Sequence, residues 1–246
     1  MLTPPPPPSQ EDTLAALLGS SQRDAMPLRY VFAQQSGETD ELVPAPLARI
    51  VRRGVASALE QYLLLHARAA GREDRDSGEM HYDVALESGV WARALGLPND
   101  ESGRRTVQRN WKALAELGLV RIERSGRLLA VTLLHEDGSG SPYTHPGATR
   151  DGRYIKLPYS YWLDGYSSQL KLPGKALLLI ALMLPDWFSL PFNKGPEGLV
   201  FVPKGMPLEG TLLAFSERGL DAAGNLIAFL IGGARPAAPQ SPRRAR

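Results

Sequence analysis

The 246-residue sequence contains no cysteine. This absence excludes disulfide bonds, cysteine-ligated zinc sites and thiol nucleophiles, and it is typical of proteins in a reducing compartment, so we expect a cytoplasmic location. Histidine is nearly as scarce, with four scattered copies: His66, His81, His135 and His145. Their spacing is not that of metal ligands, and the sequence therefore predicts neither a metal site nor a cofactor.

Long apolar runs are also missing. The most apolar segment, residues 176–192, is interrupted by two prolines and an aspartate. It falls short of the roughly 20 continuous apolar residues of a transmembrane helix, so we expect a buried helix there and no membrane partner. The sequence begins with MLTPPPPPSQEDT, without the basic and then apolar run of a secretory signal, and none is predicted.

The motifs of common enzyme classes are absent as well. The sequence has no Walker-type glycine-rich loop, no GxSxG elbow and no HExxH pair. The segment DGSGSPYTHPG contains serine, histidine and aspartate, but closeness in sequence does not place a nucleophile beside a base. We therefore expect no catalytic residues and a protein that is not an enzyme.

Composition divides the chain into five parts. The prediction is a disordered proline-rich tail (residues 1–45), a first domain (46–134), a linker (135–152), a second domain (153–234) and a disordered Pro/Arg tail (235–246). The proline run at residues 4–8 favours an extended polyproline segment, which is either a solvated spacer or a ligand for an adaptor. A strand is predicted in LRYVFAQQ, within the first tail.

Apolar spacing predicts the elements of the first domain. In chain order they are an amphipathic helix (residues 46–70), short helical turns (84–97), a longer helix (103–117) and the two strands of a hairpin (119–124 and 127–134). Gly118 favours the end of the longer helix, and Ser125-Gly126 is a hairpin-turn signal.

The predicted helix at residues 103–117 has two unlike faces. At 100° per residue, the apolar side chains Val107, Trp111 and Leu114 share one side, so Trp111 is expected in the core and not as a base-stacking group. The opposite side carries polar residues: Arg105, Gln108, Arg109 and Lys112. Seven basic and three acidic residues between positions 101 and 127 give a local charge of +4, against +2 for the whole chain. Taken alone, such a face could be an ordinary solvated surface.

These side-chain types suit DNA. Arginine makes paired hydrogen bonds to guanine and glutamine to adenine, while arginine and lysine pair with phosphates. We expect Arg105, Gln108 and Arg109 near bases, and Thr106 with Ser102 near a phosphate at the helix start. The complete set of predicted DNA-binding residues is Arg104, Arg105, Thr106, Gln108, Arg109, Lys112, Arg124 and Arg127.

The stretch RRTVQRNWKALAELGLVRIERSGR resembles the winged helix-turn-helix family of bacterial DNA-binding proteins. Within it, TVQRNWKALAELGLV is similar to the recognition helix and following strand of that family, and the resemblance covers residues 46–134. It implies that the basic helix enters the major groove of double-stranded DNA and that the hairpin is a wing. The sequence departs from the family at residues 98–102, where the turn is longer than the usual three or four residues.

The resemblance implies an α+β, predominantly helical fold and a function as a transcriptional regulator. The alternative is a plasmid replication initiator with tandem winged helices, because YIKLPYSYW and LKLPGKALLLIALML are similar to the opening of such modules. An alternative of another class is a protein-interaction scaffold that does not bind DNA.

The second region leaves three interpretations open. No second basic helix follows Glu197, so this region is either an α/β dimerisation or packing domain or an incomplete second winged helix. The change to Gly-, Pro- and Arg-rich sequence also fits an altered reading frame. A homodimer through residues 154–190 is expected in the first case, because paired half-sites strengthen a weak monomer contact.

Overall fold

A computed structural model describes residues 7–19, 21, 23–34, 43–69, 81–125, 128–146 and 152–183. Within these residues the chain has a mixed α/β fold with eight helices and two small antiparallel sheets. The helices are α1 (Gln10–Gly19), α2 (Pro46–Arg52), α3 (Ala56–Ala69), α4 (Ser88–Ala94), α5 (Glu101–Glu116), α6 (Ser160–Leu163), α7 (Tyr166–Gln169) and α8 (Leu172–Met183). The strands are β1 (Ala25–Arg29), β2 (Asp83–Ala85), β3 (Val120–Ser125), β4 (Leu128–Leu133) and β5 (Tyr154–Pro158).

The predicted long helix and hairpin are present as α5, β3 and β4. The helix begins at Glu101, two residues before the predicted start, because Asp100 caps it. It ends as expected before Gly118, whose φ of +72° lies in the left-handed region that glycine adopts without strain. A side chain at this glycine would also collide with the chain, since a Cβ there would lie 2.3 Å from the carbonyl oxygen of Gly138.

A short strand replaces part of the predicted helical turns at residues 84–97. Residues Asp83–Ala85 form β2, which pairs antiparallel with β4 and places Val84 opposite Val131. Strand β4 therefore lies between β2 and β3 in a three-stranded sheet. Three residues are too few to show a period of two, so this strand depends on its partner and not on local sequence.

The predicted helix at residues 46–70 is two helices, α2 and α3. The chain turns between them at Gly54, where φ is +66°. A residue with left-handed backbone ends an α-helix, so α2 stops before Gly54. The apolar side chains of α2 and α3 nevertheless belong to one core, which is why the sequence pattern continues across the turn. The amphipathic pattern was correct, but the single helix was wrong.

The disordered tail expected at residues 1–45 is wrong for the described part of that segment. Helix α1 buries Leu14, Leu17 and Leu18, and β1 pairs antiparallel with β5, with Leu28 opposite Ile155. The predicted strand in LRYVFAQQ lies partly in β1, and the chain then makes a single 3₁₀ turn at Tyr30–Phe32. Order in this segment comes from distant partners, which a search for local periodicity does not detect. Residues 4–6 of the proline run lie outside the described residues.

The expected linker at residues 135–152 does not separate two domains in the described structure. Its residues Glu136 and Tyr143 are buried, and one continuous core includes side chains from both predicted domains. Across this core, the Glu60 carboxylate of α3 accepts hydrogen bonds from the Trp162 indole of α6 at 2.6 Å and from the Lys175 ammonium of α8. Residues 184–246, which include the predicted C-terminal tail, lie outside the described part of the chain.

Buried charges join the N-terminal strand to the segment after β4. Arg29 and Glu136 are both fully buried, and their guanidinium and carboxylate groups are 2.7 Å apart. His66 of α3 lies on the other carboxylate oxygen, at 3.3 Å. Burial alone would raise the pKa of Glu136, but the hydrogen bond and charge of His66 and the charge of Arg29 outweigh it and lower the pKa.

Among the described residues, none of the helices combines the length and hydropathy needed to cross a membrane. Residues 176–183 of the predicted apolar segment belong to α8, in which eight of twelve residues are buried, and residues 184–192 lie outside the described part of the chain.

Candidate nucleic-acid interface

The start of α5 is capped by the Asp100 carboxylate. It accepts hydrogen bonds from the backbone amides of Ser102, at 2.8 Å, and Gly103, at 3.2 Å. The Ser102 hydroxyl donates to the same oxygen, and these bonds hold the pKa of Asp100 below its ordinary value. The backbone amides at this helix start, where Ser102 and Thr106 were expected near a phosphate, are therefore already bonded to a carboxylate.

Thr106 is also engaged within the helix. Its half-buried side chain donates from the hydroxyl to the carbonyl oxygen of Ser102 at 3.0 Å. The same hydroxyl accepts a bond from the Arg109 guanidinium at 3.4 Å. Thr106 thus holds Arg109 along the helix surface, and its hydroxyl proton is not available to a phosphate in this arrangement.

Buried amides fix the rotation of α5 against α3. The Asn110 amide donates to the Gln61 side-chain oxygen at 2.9 Å, and the Gln61 amide donates to the Val107 carbonyl at 3.2 Å. Both side chains are fully buried. Neither amide was predicted from the sequence, although the asparagine between Val107 and Trp111, on the apolar side of the helix, indicates a buried polar contact. Buried amides need matched partners, so this pair stabilises one rotation of α5.

The connection between α4 and α5 spans residues 95–100 and is held by close packing. Gly103, in the first turn of α5, lies against the Pro98 carbonyl, and a Cβ at this position would lie 1.9 Å from that oxygen. The Trp111 ring is 1% exposed and packs on α4, which confirms its predicted place in the core. The close approach of Gly103 to Pro98 therefore fixes the position of the long turn against the start of α5, although residues 98–100 of the turn are exposed.

The outer face of α5 carries exposed polar side chains: Arg104, Arg105, Gln108, Arg109 and Lys112. Arg105 forms a solvent-exposed ion pair with Glu101 at 3.3 Å, one helical turn earlier. Within the described residues, the side chains of Arg104, Gln108 and Lys112 have no hydrogen-bonded or ionic partner. Exposed ion pairs contribute little energy, so most of the positive charge on this face is available to an outside anion.

The hairpin adds one more cation to the same side of the molecule. Arg124 is exposed on β3, opposite Leu129 of β4, and has no ionic partner within the described part of the chain. Arg121 and Glu123, on the other face of β3, pair with each other at 2.8 Å. Arg127, another of the predicted DNA-binding residues, lies outside the described residues.

A groove of about 880 Å³ separates α5 from the hairpin. The start of α4 closes one side of it. Arg104 and Gln108 of α5 and Arg124 of β3 line it together with apolar side chains: Leu86, Trp111, Ile122, Leu128 and Leu129. The structure thus brings three of the predicted DNA-binding residues to one groove, whereas Arg105, Arg109 and Lys112 lie on the exposed face of α5 outside it.

The described residues include no group of three or more histidine, aspartate or glutamate side chains placed to hold a metal ion. Comparison of the chain with protein-family models, with curated proteins and with solved structures finds no match.

Proposed function

We propose that this protein binds double-stranded DNA in a sequence-specific manner, with α5 in the major groove and the β3–β4 hairpin beside it as a wing. The observation that carries the proposal is the exposed cationic face of α5, which has few internal partners and lies next to Arg124 of the hairpin. As a DNA-binding protein without a catalytic step, it would act as a transcriptional regulator.

The order of elements supports a winged helix-turn-helix. A helix (α3), a short helix (α4), a turn, a longer basic helix (α5) and a hairpin (β3 and β4) follow one another, as the resemblance implies. Strand β2 adds a third strand to the hairpin and joins it to the start of α4. This arrangement supports the hairpin from one side and leaves β3 at the edge of the sheet, where Arg124 is exposed.

The dimensions of α5 fit the major groove. Its sixteen residues span about 24 Å at ~1.5 Å per residue. The major groove of B-DNA is about 12 Å wide and admits an α-helix with its side chains. In that position Arg105, Gln108 and Arg109 would face the base edges, where arginine recognises guanine and glutamine recognises adenine.

Phosphate contacts are proposed for Arg104, Lys112 and Arg124, which flank the base-contacting residues. Asp100 and Glu101 place negative charge at the start of α5, so a phosphate would be repelled from the helix terminus itself. Cationic side chains, and not backbone amides, would hold the DNA backbone. Thr106 would act indirectly, by holding Arg109 through the bond at 3.4 Å.

The test is a selection of duplexes from a random pool, followed by affinity measurement on the selected site. Replacing both Arg105 and Arg109 by alanine should weaken binding roughly 10-fold or more and reduce the preference for the selected sequence, since a paired arginine–guanine contact is worth ~1–3 kcal/mol. Lys156→Ala, which removes an exposed cation on β5, is the matched control and should bind as the unchanged protein does. Unchanged affinity of the Arg105/Arg109 variant at moderate salt would reject α5 as the recognition helix.

Salt dependence separates DNA binding from the scaffold alternative. Neutralised phosphates release counterions, so log K should fall steeply and linearly with log salt, with a slope of about −0.9 for each contacted phosphate. A protein whose main ligand is another protein would show no such slope on duplex DNA.

The homodimer expected through residues 154–190 stays a prediction. In the described part of this region most apolar side chains are buried within the same chain, while Tyr154 and Leu163 are 38% and 50% exposed. Sedimentation equilibrium of the whole chain, with and without the selected duplex, would establish the oligomeric state.

A further inference from the structure

The groove between α5 and the hairpin has the size of a small-molecule site. Its volume of about 880 Å³ lies within the ~300–1,000 Å³ typical of ligand pockets. Three separate parts of the chain form it: the start of α4, one side of α5 and the strands of the hairpin. Contact from three sides can bury a compact ligand, which a flat phosphate-binding surface cannot do.

Apolar side chains form much of the lining. Ile122 and Leu129 come from the two hairpin strands, and Leu86 precedes α4. The Trp111 ring, buried in the core, borders the same groove. Leu128 is 37% exposed and is one of four large apolar side chains with high exposure in the described residues. Covering these surfaces would favour the binding of a hydrocarbon or aromatic group.

The charged groups that line the groove favour an anionic ligand. Two arginines, Arg104 and Arg124, line the groove from opposite elements, against one acidic residue, Glu87. Neither guanidinium has an ionic partner within the described residues. Planar guanidinium groups bind carboxylates and sulfonates through paired charged hydrogen bonds, and these are stronger where water is partly excluded. Glu87 would disfavour a ligand with a second negative charge.

We propose that this groove is a binding site for a small amphipathic anion, a compact aromatic or branched hydrocarbon that carries one carboxylate or sulfonate. Its anionic group lies between Arg104 and Arg124, and its apolar body lies on Leu86, Ile122 and Leu129. Occupation of the groove engages Arg104, Gln108 and Arg124, so the ligand excludes DNA from the same surface. The competition rests on the proposed function, whereas ligand binding does not.

Two dyes that differ by one group provide the binding test. The probe is 8-anilinonaphthalene-1-sulfonate, and its matched control is N-phenyl-1-naphthylamine, which has the same rings without the sulfonate. Fluorescence titration of the whole chain should show one saturable site for the sulfonate and binding of the neutral dye that is roughly tenfold weaker or more. Equal affinity for the two dyes would overturn the proposal.

Substitutions locate the site. The double variant Arg104→Gln/Arg124→Gln should weaken sulfonate binding roughly tenfold or more, because it removes both guanidinium groups that would form charged hydrogen bonds with the anion. The control Arg52→Gln/Arg53→Gln removes two exposed cations at the end of α2 and should leave binding unchanged. Sulfonate affinity of the Arg104/Arg124 variant equal to that of the unchanged protein would overturn the proposal.

A steric variant tests the position without removing charge. Gly89 lines the groove, and a Cβ on it would lie 3.8 Å from the Arg104 Nε atom, so a larger side chain would extend into the space beside this guanidinium. Gly89→Leu should reduce sulfonate binding roughly tenfold or more, whereas dye binding outside the groove would be unaffected. Retention of full affinity in a variant whose circular dichroism is unchanged would contradict the assigned position.

Competition is measured with the selected duplex at a concentration below its dissociation constant. The sulfonate dye should displace the DNA. Half of the bound DNA should be released at the dye concentration that half-saturates the groove in the direct titration. Simultaneous binding of dye and DNA would overturn the exclusion. Failure of the protein to bind any duplex in the absence of dye would reject the proposed function. The dye titrations would in that case still show whether the groove binds the anionic ligand.

Discussion

The indole rings of Trp91 and Trp111 meet edge to face, with centroids 5.1 Å apart and planes inclined at 88°. Trp91 belongs to α4 and Trp111 to α5, and each is 1% exposed. This contact sets the angle between the two helices, and with it the direction in which the cationic face of α5 points. Edge-to-face pairs contribute ~0.5–1.5 kcal/mol beyond the burial of their area.

Trp111→Ala should lower the free energy of unfolding by about 3–5 kcal/mol, because it removes a large buried ring and leaves a cavity beside Trp91. Trp111→Phe keeps an aromatic ring and should cost less. Urea denaturation of the three proteins measures the difference. A loss below ~1 kcal/mol for the alanine variant would mean that the core collapses around the site and that the ring pair does not hold α4 on α5.

Gly103→Ala should destabilise the protein although alanine is the better helix former. The new Cβ would lie 1.9 Å from the Pro98 carbonyl oxygen, so the α4–α5 connection must move, at a cost of about 1–3 kcal/mol. Gly19→Ala at the end of α1 is the control, because a Cβ there meets nothing within 4 Å and should be neutral or stabilising. Thermal unfolding of both variants gives the comparison, and a stabilised Gly103→Ala protein would contradict the close approach.

Asn110→Ala should cost about 1–3 kcal/mol, because it leaves the buried Gln61 oxygen without its donor. Replacing both Asn110 and Gln61 by leucine tests the pairing, since removing the two amides together should cost less than the sum of the single changes. Asn99→Ala, at an exposed position, should change the free energy of unfolding by less than ~0.5 kcal/mol. Additive effects of the two leucine substitutions would show that the amides do not act as a pair.

Glu136 should make stability depend on pH in the acid range. Its pKa in the folded protein lies below the ordinary value of 4.5, so its contribution is complete above that value and is lost as pH falls through the folded pKa. Glu136→Gln should cost about 3–5 kcal/mol near neutral pH, since it leaves the Arg29 charge buried without its counterion. In urea titrations the gap between the two proteins should be constant above pH ~5 and should narrow as pH falls further. A gap that widens on acidification would contradict the lowered pKa.

Lys112→Ala should weaken DNA binding about equally on all sequences and should make the slope of log K against log salt shallower by about 1. The reason is that a phosphate contact carries charge but no base information. Lys171→Ala removes an exposed cation outside α5 and the hairpin and should leave the slope unchanged. A loss of sequence preference in the Lys112 variant would instead place this side chain on a base.

Local sequence was sufficient to predict α5 and its hairpin. The apolar stripe of Val107, Trp111 and Leu114 is buried as expected, and Gly118 ends the helix with left-handed backbone. Such features depend on the nearest few residues, and periodicity detects them directly. The same method found only the end of β1 and missed β2, because each strand forms through pairing with a strand far away in sequence, β5 and β4 respectively.

The amphipathic pattern of residues 101–116 by itself determined that one side of this helix is buried and the other is basic, since a period of 3.6 residues separates the two sets of side chains. Only the tertiary structure decided how that basic side is used. The Gln61–Asn110 amides set the rotation of α5, the Trp91–Trp111 contact sets its angle to α4, and sheet pairing brings Arg124 across the groove from Arg104. These contacts join residues that are 20 or more positions apart, and their geometry follows from packing between elements and not from any local pattern.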